Sequence, residues 1–418
     1  MVKNEIQEIW YDKGNIFDWN EAIVEHTVSL KTKAVKKFKQ GYPLITKDAV
    51  NHLSESIEEG NILKLVDEQN RFIGKGYYGI QNKGIGWVLT NDAGEEFDTA
   101  FFKRKLQKAI KERKPLYDNP DTTAFRVFNA EGDGIGGVTI DFYGGYYLIQ
   151  WYSKGIYEFR SYLLKAMDEL VEYKGIYQKK RFDKAGQYVE EDDFVKGERG
   201  DFPLLIKENG IRYAVDLNEG AMTGIFLDQR NVRKTIRDKY ANGKTVLNTF
   251  SYTGAFSVAA ALGGAVKTTS VDVANRSLPK TKEQFLANGI DPDTQEIKVM
   301  DVFDYFGYAV KKSFAYDLVI LDPPSFARTK KRTFSSQKDY KQLIKDAVSI
   351  TAKKGIVIAS SNTSSISMAK FKGFIETACK ESNRRYRILE EFSLPDDFKT
   401  TKAFPEGNYL KVVFFQVQ

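Results

Sequence analysis

From residue 201 onward the chain repeats one pattern: a short apolar run, a turn, then an amphipathic stretch of helical length. The apolar runs read TVLNTF, TTSVDV, EIKVMDV, YDLVILD and GIVIASS, and AFSVAAALGG, SLPKTKEQFLANG and SQKDYKQLIKDAVSI lie between them. Strands that alternate with helices of about 10–15 residues need crossover connections, which are right-handed and build a parallel sheet covered on both faces. The Val, Ile and Leu content of these runs fits burial on both sides. After a last helix, FKGFIETACKES, the strands RYRILEEF and YLKVVFFQV close the sequence. The expected fold class is α/β, a Rossmann-like doubly wound sheet over residues 201–418.

The first half follows other rules. NILKLVDEQ, RFIGKGYYGI and GWVLTN are short strands punctuated by Gly and Asn, a pattern for a small β-barrel over residues 28–96. FDTAFFKRKLQKAIKERK has helical periodicity and stops at Pro115. A Gly-rich meander, TTAFRVFNAEGDGIGGVTIDFYGGYYLIQWY, and the helix SYLLKAMDELVEY follow, so residues 97–200 read as a small α+β unit. Residues 1–27 precede these units as an extension.

Composition removes several chemistries. The chain has one cysteine, Cys379, and two histidines, His26 and His52, far from the apolar strands of the second half. That excludes an internal disulfide and a multi-thiolate metal site, and leaves little material for zinc or Ser-His-Asp chemistry, so no metal is expected. No run approaches the roughly 18 apolar residues of a membrane helix, and MVKNEIQEIWYDKGN has no apolar leader. The expectations are a cytoplasmic location and no membrane partner. A formal charge of +7 leans towards polyanions.

In doubly wound sheets the ligand lies beyond the carboxyl ends of the strands. Here the first strand ends at Asn248-Thr249-Phe250 and runs into Ser251-Tyr252-Thr253-Gly254. The next three strands end with Asp272, Asp301 and Asp322. An ordered set of strand-end acids suits a nucleoside: one acid for ribose hydroxyls, one for a base amine and one beside the reacting group. The competing reading of Asp272 or Asp301 is a helix N-cap. A dinucleotide site needs G-x-G-x-x-G, and this loop offers only Gly254, so the ligand has an adenosine without a pyrophosphate. S-adenosylmethionine is that ligand.

The fourth strand runs into VILDPPSF, Val319 to Phe326. Two prolines fix φ near −65° twice and have no N–H for a ladder, so the carbonyls of Asp322 and Pro323 stay available as acceptors. Such acceptors could hold a planar base, Phe326 could stack on it, and Arg328, Lys330, Lys331 and Arg332 could meet flanking phosphates. A rigid connector with a core Phe is the alternative.

With these residues in hand, the chain resembles the RlmI-like family of bacterial ribosomal RNA large-subunit methyltransferases. The matching pieces are TGIFLDQRNVR, VLNTFSYTGAFSVAAALGGA, TTSVDVANRSL, VILDPPSFARTKK and FPEGNYLKVV. The resemblance implies a PUA-like RNA-binding barrel, then an α+β domain, then a class I methyltransferase fold. It implies that Gln229, Arg230, Phe250, Tyr252, Gly254, Asp272 and Asp301 surround S-adenosylmethionine. Asp322 and Pro323, followed by Pro324, would face methyl donor and base. Apart from the resemblance, the basic run KTKAVKKFK offers Lys36 and Lys37 to the RNA-binding set, and the competing reading of that run, as of ARTKKR, is a solvated charged face.

One departure bears on the chemistry. Carbon 5 of cytosine becomes nucleophilic only after a thiol adds to carbon 6. Cytosine-modifying relatives carry that thiol in the loop after the fifth strand, where this chain reads ASSNTSSIS and has Asn362. Asn362 could bond the target base or cap its loop, and Cys379 reads as a core thiol within a helix. A ring nitrogen or an exocyclic amine needs only placement against the sulfonium. The expectation is base methylation of ribosomal RNA, with ribosomal RNA as partner and a homodimer allowed. The rivals are an RNA-binding protein of the same fold without catalysis, a methyltransferase of a non-ribosomal RNA, and a nucleotide-dependent oxidoreductase.

Overall fold

The alternating second half folds as read. Seven strands form one sheet: β1 (Thr245–Thr249), β2 (Lys267–Asp272), β3 (Glu296–Val299), β4 (Tyr316–Leu321), β5 (Thr351–Ser361), β6 (Tyr386–Phe392) and β7 (Lys411–Val417), in the order β3-β2-β1-β4-β5-β7-β6. The computed structural model describes residues 24–81, 83–182, 192–328 and 332–418. Strands β1 to β5 pair in parallel, and β7 pairs antiparallel with both β5 and β6. The order reverses between β1 and β4, so the crevice for a ligand opens beyond their carboxyl ends.

Strand alternation sends successive side chains to opposite faces. Leu247, Val319, Leu321 and Val357 bury one face against the helices α3 (Val302–Lys311), α4 (Ser336–Ser349) and α5 (Met368–Glu381), through Tyr305, Leu343 and Phe371. Val246, Leu318, Ile320 and Ile358 bury the other, with Val232, Ile236, and Phe256 of α1 (Ala255–Leu262). A further helix, α2 (Ser277–Leu286), connects β2 towards β3. Both faces are covered, as the apolar runs require.

Upstream, a five-stranded sheet spans Glu25 to Thr90 and carries the basic helix Thr32–Lys39. A second five-stranded sheet is built from Ala124–Asn129, Val138–Tyr143, Tyr146–Trp151, Gly175–Lys180 and Phe194–Gly197, and the helices Thr99–Glu112 and Arg160–Leu170 belong to the same region. These two regions are not separately cored. Leu63, Tyr77 and Trp87 of the barrel join Phe102, Phe128, Ile149 and Phe159 in one continuous apolar cluster. Periodicity tells which face of an element is buried but not what covers it, which is why the shared core is absent from the sequence reading. A hairpin, Leu204–Glu208 with Ile211–Val215, leads into the α/β sheet.

Candidate active site

The loop after β1 is held in an unusual backbone path. Phe250 and Tyr252 have φ of +54° and +51°, and Gly254 has φ of +78°. Side-chain-bearing residues reach this region at a cost, so the loop must be held from outside. The amide of Tyr252 donates to Asp272 Oδ2 at 2.9 Å, and that of Ser251 donates to Val271 O. On the other side the Gly224 amide donates to Tyr252 Oη at 3.0 Å, and Thr253 Oγ1 donates to the Gly224 carbonyl at 2.7 Å. Gly254 is fixed for a second reason: a Cβ there would stand 2.5 Å from Thr281 Cγ2.

The strand-end acids converge. Asp272, Asp301 and Asp322 all line one cavity of about 580 Å³, with Gln229, Phe250, Tyr252, Pro323, Pro324 and Asn362. Asp272 spends one bond from each oxygen on the backbone, Oδ2 on Tyr252 and Oδ1 on the Ala274 amide at 2.9 Å. Asp301 is an N-cap: its Oδ1 accepts from the amides of Phe303 and Asp304 at the start of α3. Capping and cavity lining occur together, because the helix N-terminus itself opens onto the pocket.

Asp322 is held by side chains. Gln229 Nε2 donates to its Oδ1 at 3.1 Å and to Ser360 Oγ at 2.8 Å. That leaves the buried Oε1 of Gln229 with no hydrogen-bond partner among the described residues, an acceptor in the wall of the cavity. Burial pushes the Asp322 carboxyl up to about 6, with the neighbouring Asp228 carboxylate adding to the rise. Asn362 accepts from Ser325 Oγ at 2.6 Å, so the loop after β5 is latched to the Asp-Pro-Pro loop and the Asn362 amide N–H groups remain as donors. The thiol of Cys379 is buried in α5 among the sheet's core residues, and burial raises it to about 11.

Other expected site residues go elsewhere. Arg230 does not line the cavity; its guanidinium makes a buried bidentate pair with Asp397, with NH2 2.5 Å from Oδ1. Gln229 and Arg230 are adjacent where a turn becomes a helix, and only the first faces the ligand end. Gly254 contributes backbone geometry, not lining. Phe326 is 62% exposed and Arg328 is also exposed, on a hairpin of Phe326–Arg328 with Thr333–Ser335. Ala327 and Arg332 of the same hairpin do line the cavity, and the Arg332 guanidinium lies 4.2 Å from the Phe303 ring centroid. Lys330 and Lys331 lie outside the described residues. Lys36 and Lys37 are exposed on the barrel helix.

Three residues escaped the sequence reading. Phe303 and Phe334 meet Phe250 with centroids 6.4 and 6.3 Å away and each other at 5.8 Å, giving the pocket an aromatic wall. Asp228 lines the cavity and accepts from Tyr409 Oη at 2.8 Å. Its place beside Gln229 in LDQR was a signal. Phe334 carried none, since it arrives on the return strand of the hairpin.

Comparisons with known proteins agree with this geometry. Residues 179–414 match the model of the S-adenosylmethionine-dependent methyltransferase family, and residues 28–91 match a PUA-like domain. YwbD of Bacillus subtilis (strain 168), provisionally named a ribosomal RNA large subunit methyltransferase, is 65% identical over 391 residues, 93% of this chain and 99% of its own. Ribosomal RNA large subunit methyltransferase I of Aeromonas salmonicida is 30% identical over 90% of this chain and 95% of its own. A solved structure titled SMU.776, a methyltransferase by provisional assignment complexed with SAH, superposes with a TM-score of 0.86 at 39% identity, covering 94% of this chain and all of that one.

Proposed function

The chain belongs to the S-adenosylmethionine-dependent methyltransferase family, carries a PUA-like domain, and on that premise we propose that it methylates a base of large-subunit ribosomal RNA, at a nitrogen and not at carbon 5 of a cytosine. The observation that carries the reading is the convergence of Asp272, Asp301 and Asp322 on one cavity walled by Phe250, Phe303 and Phe334.

These residues fit the donor. Asp272 keeps lone pairs for a ribose diol, and Asp301 keeps Oδ2 for an adenine amine. The aromatic wall suits a flat base, and the positive-φ loop brings backbone close without a phosphate cradle. When bound, S-adenosylmethionine supplies a methyl group on a positively charged sulfur. At the other end, Asp322, the bare Oε1 of Gln229 and the Asn362 amide would orient the acceptor base, while the two prolines keep that rim rigid.

The target is assigned to nitrogen because the chain's one thiol is in the core, and none of the described side chains lining the cavity is a thiol that could add to carbon 6. Ribosomal RNA as partner draws on what the relatives' names say and on the basic hairpin beside the cavity; a cytoplasmic location follows from that partner. Isothermal titration with S-adenosylmethionine tests the first half: binding in the micromolar range is expected, and no heat at high micromolar ligand removes the reading. Nucleoside mass spectrometry of large-subunit RNA incubated with protein and methyl donor tests the second, with 5-methylcytidine as the product that overturns the nitrogen assignment.

A further inference from the structure

Several lysines on this surface are matched. Lys103 pairs with Glu169, Lys196 with Asp168, Lys239 with Glu390, and Lys341 and Lys345 with Glu381. The barrel helix Thr32–Lys39 differs. Ala34 and Phe38 are its buried side, while Lys33, Lys36, Lys37 and Lys39 are exposed, and no described carboxylate forms a salt bridge with any of them. Exposed like charges along so short a helix repel one another, and Asp48 near Lys33 and the Tyr42 ring under Lys37 offset this only in part.

The helix also forms one wall of a groove of about 520 Å³. Lys37, Gln40 and Tyr42 lie on one side, with Lys402, Pro405 and Glu406 on the other. Lys402 is exposed and likewise has no salt bridge to a described carboxylate. The groove's one acid, Glu406, accepts from Tyr42 Oη at 3.3 Å, and Lys37 Nζ stands 3.1 Å from the Tyr42 ring centroid. The opposite wall is not loose. Phe404 inserts between Tyr42 and Trp87 of the barrel, with centroids 5.4 and 5.7 Å away. The same segment then runs directly to Tyr409, which bonds Asp228, and to Leu410, which lines the active-site cavity.

We propose that this groove is a composite phosphate-binding track for the RNA backbone, with the barrel lysines on one wall and Lys402 of the methyltransferase domain on the other. It rests on the RNA reading above and adds to it that the barrel does not grip RNA alone. A polyanion answers lysines that lack a described carboxylate partner on both walls, and the anchored segment 402–410 fixes the spacing between the held backbone and the cavity where the base is presented.

The test measures binding of a large-subunit RNA fragment to full-length protein across a salt series. Each phosphate contact contributes about 0.7–0.9 to the slope of log affinity against log salt. Lys402→Ala alone should lower the slope by that amount and weaken binding about fivefold at 0.15 M salt. Lys36→Ala/Lys37→Ala/Lys402→Ala should lose roughly 100-fold, with affinity for S-adenosylmethionine unchanged. Lys341→Ala/Lys345→Ala, whose partners are carboxylates, should leave the slope as it was. An unchanged slope in Lys402→Ala overturns the composite track even if the wild-type protein methylates RNA. Competition by poly-glutamate as strong as by RNA would reassign the groove to an acidic protein and also overturn it. A wild-type protein that neither binds nor methylates the RNA would instead sink the functional reading itself.

Discussion

Asp272 and Asp322 stand at the ends of β2 and β4 and line the same cavity, yet they are secured by different means. Asp272 is held by backbone amides, one on each oxygen, which also fix the positive-φ loop beside it. Asp322 is held by the Gln229 side chain, and burial lifts its carboxyl to about 6. Backbone donors cannot rotate away, so the Asp272 end is pre-set for one ligand shape. Side-chain donors and a pKa near neutrality leave the Asp322 end responsive to what is placed against it. Under the function proposed above, the two ends of one pocket would divide the work, Asp272 recognising the donor and Asp322 acting on the base.

Substitutions can break that division. The largest expected effect is at the acting end: Asp322→Asn should lower kcat for RNA methylation by about 100-fold or more, while calorimetry still detects the methyl donor. At the recognising end, Asp272→Ala should weaken binding of S-adenosylmethionine about 10- to 100-fold, as loss of a charged acceptor implies. If both variants lost donor binding equally, the distinction between the ends would fail.

A pH series sharpens it. If the ionised form of Asp322 orients the base, kcat should rise with pH through about 6 and then level. Gln229 stabilises that ionised form, so Gln229→Met should move the midpoint upward in the measured pH profile. Stability runs the other way. A carboxyl whose pKa is higher folded than unfolded contributes most at low pH, and its contribution is lost as pH rises through about 6. Asp322→Asn should therefore flatten part of the dependence of thermal unfolding on pH between about 4 and 6. The smallest effect is expected at Cys379→Ala, which should leave methyl transfer within about twofold of wild type, since the thiol lies in the core.

The strand-end acids were legible because one rule, ligand at the carboxyl ends, converts sequence order into spatial neighbourhood. Arg230 was not, because its fate depends on Asp397, 167 residues away, and no local pattern reveals that pairing. Phe334 and Lys402 share the difficulty. Each reaches its site on a segment returning from elsewhere, so its chemistry is visible in the sequence while its address is not. Asp301 shows the opposite case, where two readings set against each other, helix cap and cavity wall, describe the same carboxylate.

The continuous apolar cluster that unites the barrel with the region after it has a practical outcome for anyone dissecting the protein. Cutting near residue 96 would strip Trp87 and Tyr77 of Phe159 and its neighbours and leave two sticky faces in water, so the excised barrel should aggregate when expressed alone. It also means that the barrel cannot swing on a tether. If the barrel holds RNA as proposed, that RNA would be carried at a set distance from the methyl donor, as a jig holds a workpiece beneath a drill.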